Sequence, residues 1–332
     1  MSKTTIGIDI GSCELKLALC GGGAVQRLVS EPLPDQLVRD GRVVSPEAMA
    51  AFLKETVKKH RLSARRCALV LPASQAFARR TLLPAMTVEQ LQLNLPYEFR
   101  DYITEEKDKY FYDYAVLRME RDEAGKPAQM ELMAAAALKT VIHSYRDICR
   151  WAGLKLVTAL PTELAYVNLL RRCQEANPQE EREYCIIDLG HSATRVYIFT
   201  GLRFEVSRVI EFGGIQLDNA IADAFHVDVH IARARKVANR EGELELQACR
   251  DQYRAMAVDL MRGINFYRYS NPGSQLDTAW LCGGGSRIAP LVEQLSETLS
   301  MELHPISDLL ALSGAGAEQA DLCPAAIGAA QQ

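Results

Sequence analysis

Apolar residues alternate and then crowd together over residues 5–10, break at Asp9-Ile10-Gly11, and resume with period two over 15–20 and again over 24–29. Period-two patterning in runs this short predicts strands, and the glycine-bearing break predicts a hairpin turn between the first two. The pattern returns 179 residues later: Cys185-Ile-Ile-Asp-Leu-Gly-His191 lays Asp188 on Asp9 and Gly190 on Gly11, and strands follow over 194–199 and 203–210. Lys16 falls on Arg195, Leu17 on Val196 and Leu19 on Ile198. A three-stranded meander that occurs twice predicts two related lobes.

Between the repeats the period changes. Ser45-Pro46-Glu47 starts a helix carrying Met49, Phe52, Leu53 and Val57 at helical spacing, and 67–71 reads as a buried strand. Thr87 and Gln90 have the spacing of a capping box, for a helix that Pro96 kinks or ends within three turns. From Pro84 to Arg150 the chain turns acidic and aromatic, with Tyr97, Phe99, Tyr102, Tyr110, Phe111, Tyr112 and Tyr114. There the spacing predicts a helix, strands over 110–117 and 130–137 around a polar turn, and a last helix that stops at Gly153.

After the second meander, Gly213-Gly214 opens a helix to Phe225, and one long helical region is expected over 229–269. A strand over 277–281 then enters Cys282-Gly-Gly-Gly-Ser286 and a helix over 288–299. The expected organisation is a first lobe (1–83), an insertion (84–150), and a return to the first lobe with an interlobe helix (151–182). The second-lobe core (183–212) follows, with a helical subdomain (213–276), a resumed core (277–310) and a closing helix back to the first lobe (311–332).

With 48% apolar and 24% charged residues the chain is an ordinary globular one, and 332 residues exceed what one core usually holds. A net charge of -4 argues against neutralising a nucleic-acid backbone or an anionic membrane as the main task. The short basic pairs Arg65-Arg66, Arg79-Arg80 and Arg171-Arg172 read as solvated faces. Nine cysteines without a C-x-x-C pair suggest free thiols in a reducing cytoplasm. No apolar run has the length of a signal peptide or of a bilayer span, so direct membrane insertion is not expected.

A polyphosphate needs backbone N–H groups presented without side chains in the way, which tight glycine turns provide. One Asp-x-Gly turn says little. Two of them in paired lobes predict a cleft that clamps a phosphate tail from both sides, with Asp9 and Asp188 placed to hold a hard divalent cation. Lys16 and Arg195 lie in the strands after the two turns, where a phosphate contact and a plain surface cation are equally open. The glycines Gly283, Gly284 and Gly285 let a ring and ribose lie against backbone. His226 and His230 have i, i+4 spacing but no third ligand, and neither a nucleophile elbow nor a Walker loop occurs.

The order Asp-x-Gly hairpin, interlobe helix, second Asp-x-Gly hairpin, Gly-Gly helix and Gly-Gly-Gly-Ser resembles the phosphate 1, connect 1, phosphate 2 and adenosine motifs of the actin-like ATPase superfamily. Ala326-Ile-Gly-Ala-Ala330 resembles its second connecting helix. Within that superfamily the chain is most similar to the PilM proteins of type IV pilus and related secretion machines, with the cell-division protein FtsA next. The carriers are GIDIGSCELKL, LPAMTVEQL, AALKTVIHSYRDICRWAGL, FGGIQLDNAIADAF and LCGGGSRIAPLVEQLSETL. The closing DLCPAAIGAAQQ has no cationic amphipathic tail, which favours PilM over FtsA.

The resemblance implies an α/β, actin-like (ribonuclease H-like) two-lobe fold with a small α+β insertion in the first lobe. It implies ATP and Mg2+ as ligands: the metal at Asp9 and Asp188, the nucleotide at Gly11, Ser12, Cys13, Lys16, Gly190, His191, Thr194, Gly213, Gly214, Lys236, Gly283, Gly284, Gly285 and Arg287. Glu163, at the start of the interlobe helix, is implied as the residue that orients water, in what is at most a weak ATPase. Arg233 stands where the family commonly has glutamate, and His191 replaces a small residue. The implied partner is the cytoplasmic tail of a PilN-like inner-membrane protein, held between the first lobe and the insertion, with self-association a second possibility. A small-molecule kinase of the same fold is the competing reading, and it needs a general base and an acceptor pocket that the second-lobe loops do not display.

Overall fold

The computed structural model of the chain describes residues 4–39, 41–72, 74–176, 182–310 and 315–331. These form two compact units, Met1–Leu169 with Ala325–Gln332, and Leu170–Pro324.

The first unit opens with the predicted meander, β1 (Thr5–Ile10), β2 (Glu14–Gly21) and β3 (Ala24–Pro32). A two-stranded ribbon, β4 (Val38–Arg39) and β5 (Arg42–Val43), leads to α1 (Pro46–Lys59). Ser45 caps α1 by accepting from the Ala48 N–H, and Pro46 takes the first turn, where its missing N–H costs nothing. Then come β6 (Arg66–Leu71), β7 (Ala76–Pro84), α2 (Val88–Asn94), β8 (Tyr110–Arg121), β9 (Pro127–Leu138), α3 (Lys139–Trp151), β10 (Lys155–Pro161) and α4 (Thr162–Ala176).

The main sheet runs β10-β6-β1-β2-β3, with β1, β6 and β10 parallel. Strands buried on both faces read as continuous apolar runs, as β6 does. Ile6, Ile8, Leu15, Leu17 and Leu69 pack with Met49 and Leu53 of α1 and Tyr145 and Ile148 of α3 to form the core.

The insertion differs from expectation in one respect. Its sheet has three strands, β7-β9-β8, because Ala76–Pro84 pairs with β9 from Ala76↔Ala137 to Pro84↔Gln129. The sheet therefore takes in residues from Ala76 onward, ahead of Pro84. Its core is Leu91, Leu95, Phe99, Met130, Leu132, Ala134 and Ala136. The capping box at Thr87 and Gln90 is present, and the chain passes into a 3-10 turn at Leu95–Phe99, where Pro96 cannot continue α2. Of the pair expected to be solvated, Arg79 is half-buried, donates to the Glu98 carbonyl and lies over the Tyr102 ring, while Arg80 is exposed as expected, with its Nε 3.2 Å from Glu131.

The second unit repeats the plan with β11 (Glu183–Leu189), β12 (Thr194–Thr200) and β13 (Arg203–Ile210), followed by α5 (Gly214–Phe225), α6 (Val229–Ala238), α7 (Gln247–Ser270), β14 (Thr278–Cys282), α8 (Ala289–Thr298) and β15 (Glu302–Pro305). Its sheet order, β13-β12-β11-β14-β15, matches that of the first unit strand for strand. The long helical region expected over 229–269 holds two helices. Asn239 (φ 41°) and Gly242 (φ 72°) are left-handed, which ends α6 and sets up a 3-10 turn before α7.

The chain closes with α9 (Ala315–Leu322) and α10 (Pro324–Ala330). Ala325 and Ala329 of α10 pack on Ala68, Val70, Leu160 and Ala165, so this helix returns to the first unit's sheet. The expected boundaries at 182 and 310 adjoin residues 177–181 and 311–314, which lie outside the described set.

Candidate functional site

The two Asp-x-Gly turns are built alike. Asp9 stands opposite Lys16 in the β1–β2 ladder, and Asp188 stands opposite Arg195 in the β11–β12 ladder. In the first turn the Gly11 N–H donates to the Glu14 carbonyl at 2.9 Å, which places Ser12 and the half-buried Cys13 at the tip. Lys16 Nζ lies 3.9 Å from Asp9 Oδ2, so in this structure the cation is directed at the carboxylate. Burial, with the Asp9 charge adding to it, pushes the Tyr145 hydroxyl up to about 12.

Parallel strands bring their carboxyl ends to one edge of a sheet. Asp9 pairs with Val70, and Leu71 with Pro161, so the start of α4 with Glu163 shares the edge that carries Asp9. The lateral separation is two strands, roughly 10 Å at the usual spacing. Glu163 is buried in the first turn of α4.

In the second unit the same rule sets the Gly-Gly-Gly turn beside Asp188, which pairs with Cys282. Gly283 has φ 82°, and a β-carbon there would lie 2.5 Å from Asp188 Oδ1 and 2.7 Å from the Leu189 carbonyl. Only glycine fits this approach. Gly284 has open space where a side chain would be, and the Ser286 hydroxyl closes the turn on the Gly283 carbonyl at 2.7 Å. Arg287 is spent on the Glu318 carbonyl at 2.8 Å.

The turn at 190–193 seats on the start of α5. The Gly214 N–H donates to the Gly190 carbonyl at 3.1 Å and the Ile215 N–H to the His191 carbonyl at 2.9 Å. Gly213 caps the helix with no side chain, and a β-carbon there would collide with the His191 backbone. Lys236, from α6, donates to the Gly214 carbonyl at 2.9 Å. The structure thus brings Gly190, His191, Gly213, Gly214 and Lys236 together. Thr194 is a different case: it is fully buried, and its hydroxyl faces Met256 Sδ at 3.9 Å in the core.

Two residues of this cluster were not among the expected site residues. Asp218 of α5 has a side chain with 0% exposure, and it meets Lys236 Nζ at 2.5 Å and Arg233 Nε at 3.2 Å. Arg233 Nη2 lies 3.3 Å from His191 Nε2, and His191 Nδ1 lies 3.8 Å from Asp218 Oδ2. Burial pushes the His191 imidazole down to about 4, Lys236 and Arg233 add to the effect, and Asp218 opposes it. The available signal was an aspartate on the apolar stripe of α5, between Leu217 and Ile221, with basic residues three apart on the next helix.

Among the described residues no group of three or more His, Cys, Asp or Glu side chains is arranged to hold a metal, and no helix is long and apolar enough to cross a membrane.

No match is found among curated protein sequences. A solved PilM-PilN type IV pilus biogenesis complex is similar to the chain with a TM-score of 0.81 and 24% identity, covering 98% of this chain and 97% of that one. The ethanolamine utilization protein EutJ from Carboxydothermus hydrogenoformans follows at TM-score 0.60 and 16% identity, over 100% of this chain and 89% of that one. MreB 5 of Spiroplasma citri, solved with AMPPNP bound, gives 0.54 and 12%, over 93% and 92%. The fold is therefore the actin-like one expected from the motif order. The family model for type IV pilus assembly protein PilM matches residues 7–316, and the chain belongs to that family.

Proposed function

We propose that this protein is an ATP-binding actin-like scaffold of a type IV pilus or related secretion machine, which docks the cytoplasmic tail of a PilN-like inner-membrane protein. The observation that carries the reading is the family match over residues 7–316, and likeness at full length to a PilM-PilN complex supports it. On this reading the protein is cytoplasmic and is held at the inner membrane by that partner, since no described helix crosses a bilayer.

The glycine turns of the second unit fit a nucleotide. Gly283 and Gly213 pack against the backbone and side chains of the neighbouring turns, and Gly284 beside them has open space where a side chain would be, which leaves backbone free for a ligand. Such turns accept a phosphate chain or a ribose against backbone. Asp9 and Asp188 would hold Mg2+ directly or through water, Gly11, Ser12 and Cys13 and the turn at 190–191 would bind phosphates, and Gly283, Gly284 and Gly285 with Lys236 would take the nucleoside. Bound Mg2+ would neutralise phosphate charge.

Glu163, buried on the edge that carries Asp9, is assigned to orienting water in slow hydrolysis. A Glu163→Gln protein should bind ATP as the parent does and hydrolyse it more slowly. An unchanged rate would leave Glu163 as a first-turn carboxylate that serves only its helix.

The reading is tested by calorimetry and pull-down together. Mg-ATP should bind the purified protein, and a PilN-like tail immobilised on resin should retain it. Retention without nucleotide binding would leave a scaffold that does not use ATP, and failure of both binding and retention would overturn the proposal.

A further inference from the structure

Four residues lie side by side on one face of the second unit's sheet, at the end where β11 and β14 finish: Cys282, Asp188, Arg195 and Val209, each opposite the next in its ladder. Successive side chains of a strand point to opposite faces. Thr194 faces Met256 in the core, so Arg195 projects from the other face, beside Asp188. Directly opposed residues hold their β-carbons only about 5 Å apart, well within the reach of a guanidinium.

Arg195 is nevertheless not engaged with that carboxylate. Among the described residues it makes no ion pair and no side-chain hydrogen bond, and its Nε is cut off from solvent with no acceptor. The corresponding cation of the first turn behaves differently, since Lys16 Nζ is directed at Asp9 at 3.9 Å. Asp188 Oδ1 lies instead against the Gly283 turn, and the neighbour on the other side of Arg195, Val209, is apolar and exposed. A guanidinium N–H taken out of water without an acceptor is unfavourable, because its lost hydration is not replaced. The half-buried Arg195 thus carries a donor whose acceptor the chain itself does not supply.

We propose that Arg195 is a phosphate-binding residue of the second turn, and that with Asp188 it selects a metal-chelated di- or triphosphate over a bare anion. The proposal rests on the nucleotide reading above and adds a residue to it. A planar fork of donors suits phosphoryl oxygens, which it can engage two at a time. The carboxylate beside it repels an anion that arrives alone and attracts one that brings a divalent cation. Opposite charges that stand side by side without pairing therefore match a ligand whose own cation and anion stand side by side.

The test compares the parent protein with Arg195→Met and Arg195→Lys by calorimetry, using Mg-ATP and metal-free ATP as probes at several salt concentrations. Arg195→Met should weaken Mg-ATP by roughly tenfold or more and flatten its salt dependence, and Arg195→Lys should recover part of both. The parent's preference for Mg-ATP over metal-free ATP should narrow in Asp188→Ala, where a bare anion no longer meets a negative charge. A cation that served only the fold would show itself without ligand. Arg195→Met should instead melt at or above the parent's midpoint, because the substitution removes a buried donor that has no acceptor. Mg-ATP affinity within twofold of the parent, at the same salt slope, would overturn the assignment. So would a lowered midpoint in Arg195→Met that Arg195→Lys restores, which is the mark of a structural cation. A parent protein that binds neither form of ATP would instead overturn the nucleotide reading on which the proposal rests.

Discussion

A β-carbon on Gly283 would stand 2.5 Å from Asp188 Oδ1. The Gly283 turn and the Asp188 carboxylate are therefore packed together in the second unit, because β14 runs parallel to β11 and ends beside it. Gly283→Ala should fail in two ways. The left-handed φ of 82° becomes strained, at roughly 1–3 kcal/mol, and the new methyl must push the Asp188 carboxylate or the Leu189 carbonyl aside. A lowered thermal midpoint together with lost Mg-ATP binding is expected. Gly284→Ala, placed where a side chain meets nothing within 4 Å, should leave the thermal midpoint nearly intact, while its methyl enters the space assigned to the nucleoside and weakens Mg-ATP binding.

Asp9 and Asp188 end equivalent strands, each with a cation opposite in the ladder. Alanine at either should weaken Mg-ATP at least tenfold, on the order of 1.4 kcal/mol, and the loss should shrink when nucleotide is titrated without magnesium. Thr194→Val should leave affinity within about twofold, since the hydroxyl faces Met256 and not the turn surface. Unchanged calorimetric affinity in both aspartate variants would remove them from the site.

His191 links stability to pH with a definite sign. Its folded pKa of about 4 lies below the ordinary histidine value near ~6.5, so between those values the unfolded chain binds the proton more readily. The stabilisation is complete above pH ~6.5 and is lost as pH falls toward 4, at up to about 1.4 kcal/mol per pH unit. Urea midpoints measured at pH 7.5, 6 and 5 should fall across that window, and His191→Gln, which does not titrate, should show a shallower decline.

The parts of the fold legible in sequence were those fixed by local period. Both meanders were visible because strands buried on alternate or both faces write their pattern into consecutive residues, and the 179-residue echo aligned Asp9 with Asp188 without any knowledge of pairing. The third strand of the insertion was not legible, because Ala76–Pro84 is held by pairing with β9 some fifty residues on, and Arg79 resembles part of a solvated face until Glu98 and Tyr102 are seen beside it. The break in the long helix depended on Asn239 and Gly242 turning left-handed, while apolar spacing continued across it. At the candidate site, spacing located the glycine turns and the family resemblance pointed to Lys236, but neither could tell which way Thr194 points, or that Asp218 gathers Arg233 and Lys236.

The insertion offers its free edge at β8. This strand pairs only with β9 among the described residues, and Tyr112 and Tyr114 turn inward to the Phe99 and Leu132 core. Past the register shift at 116–118, Val116, Leu117 and Met119 are exposed, which leaves apolar side chains beside an unpaired backbone edge. An extended tail added there would gain main-chain hydrogen bonds from the edge and side-chain contacts from the apolar row. Deleting residues 84–150 is a poor probe, since it removes β9 from β7 and exposes a strand that is paired along its whole length. Val116→Lys with Met119→Lys is the better one: both sites are exposed, so melting should stay close to the parent, while two cations on the edge obstruct strand addition. The doubly substituted protein should bind Mg-ATP normally and lose retention on a PilN-like tail. If it is retained as the parent is, β8 is not the docking edge, and the tail must be sought on the main sheet of the first unit.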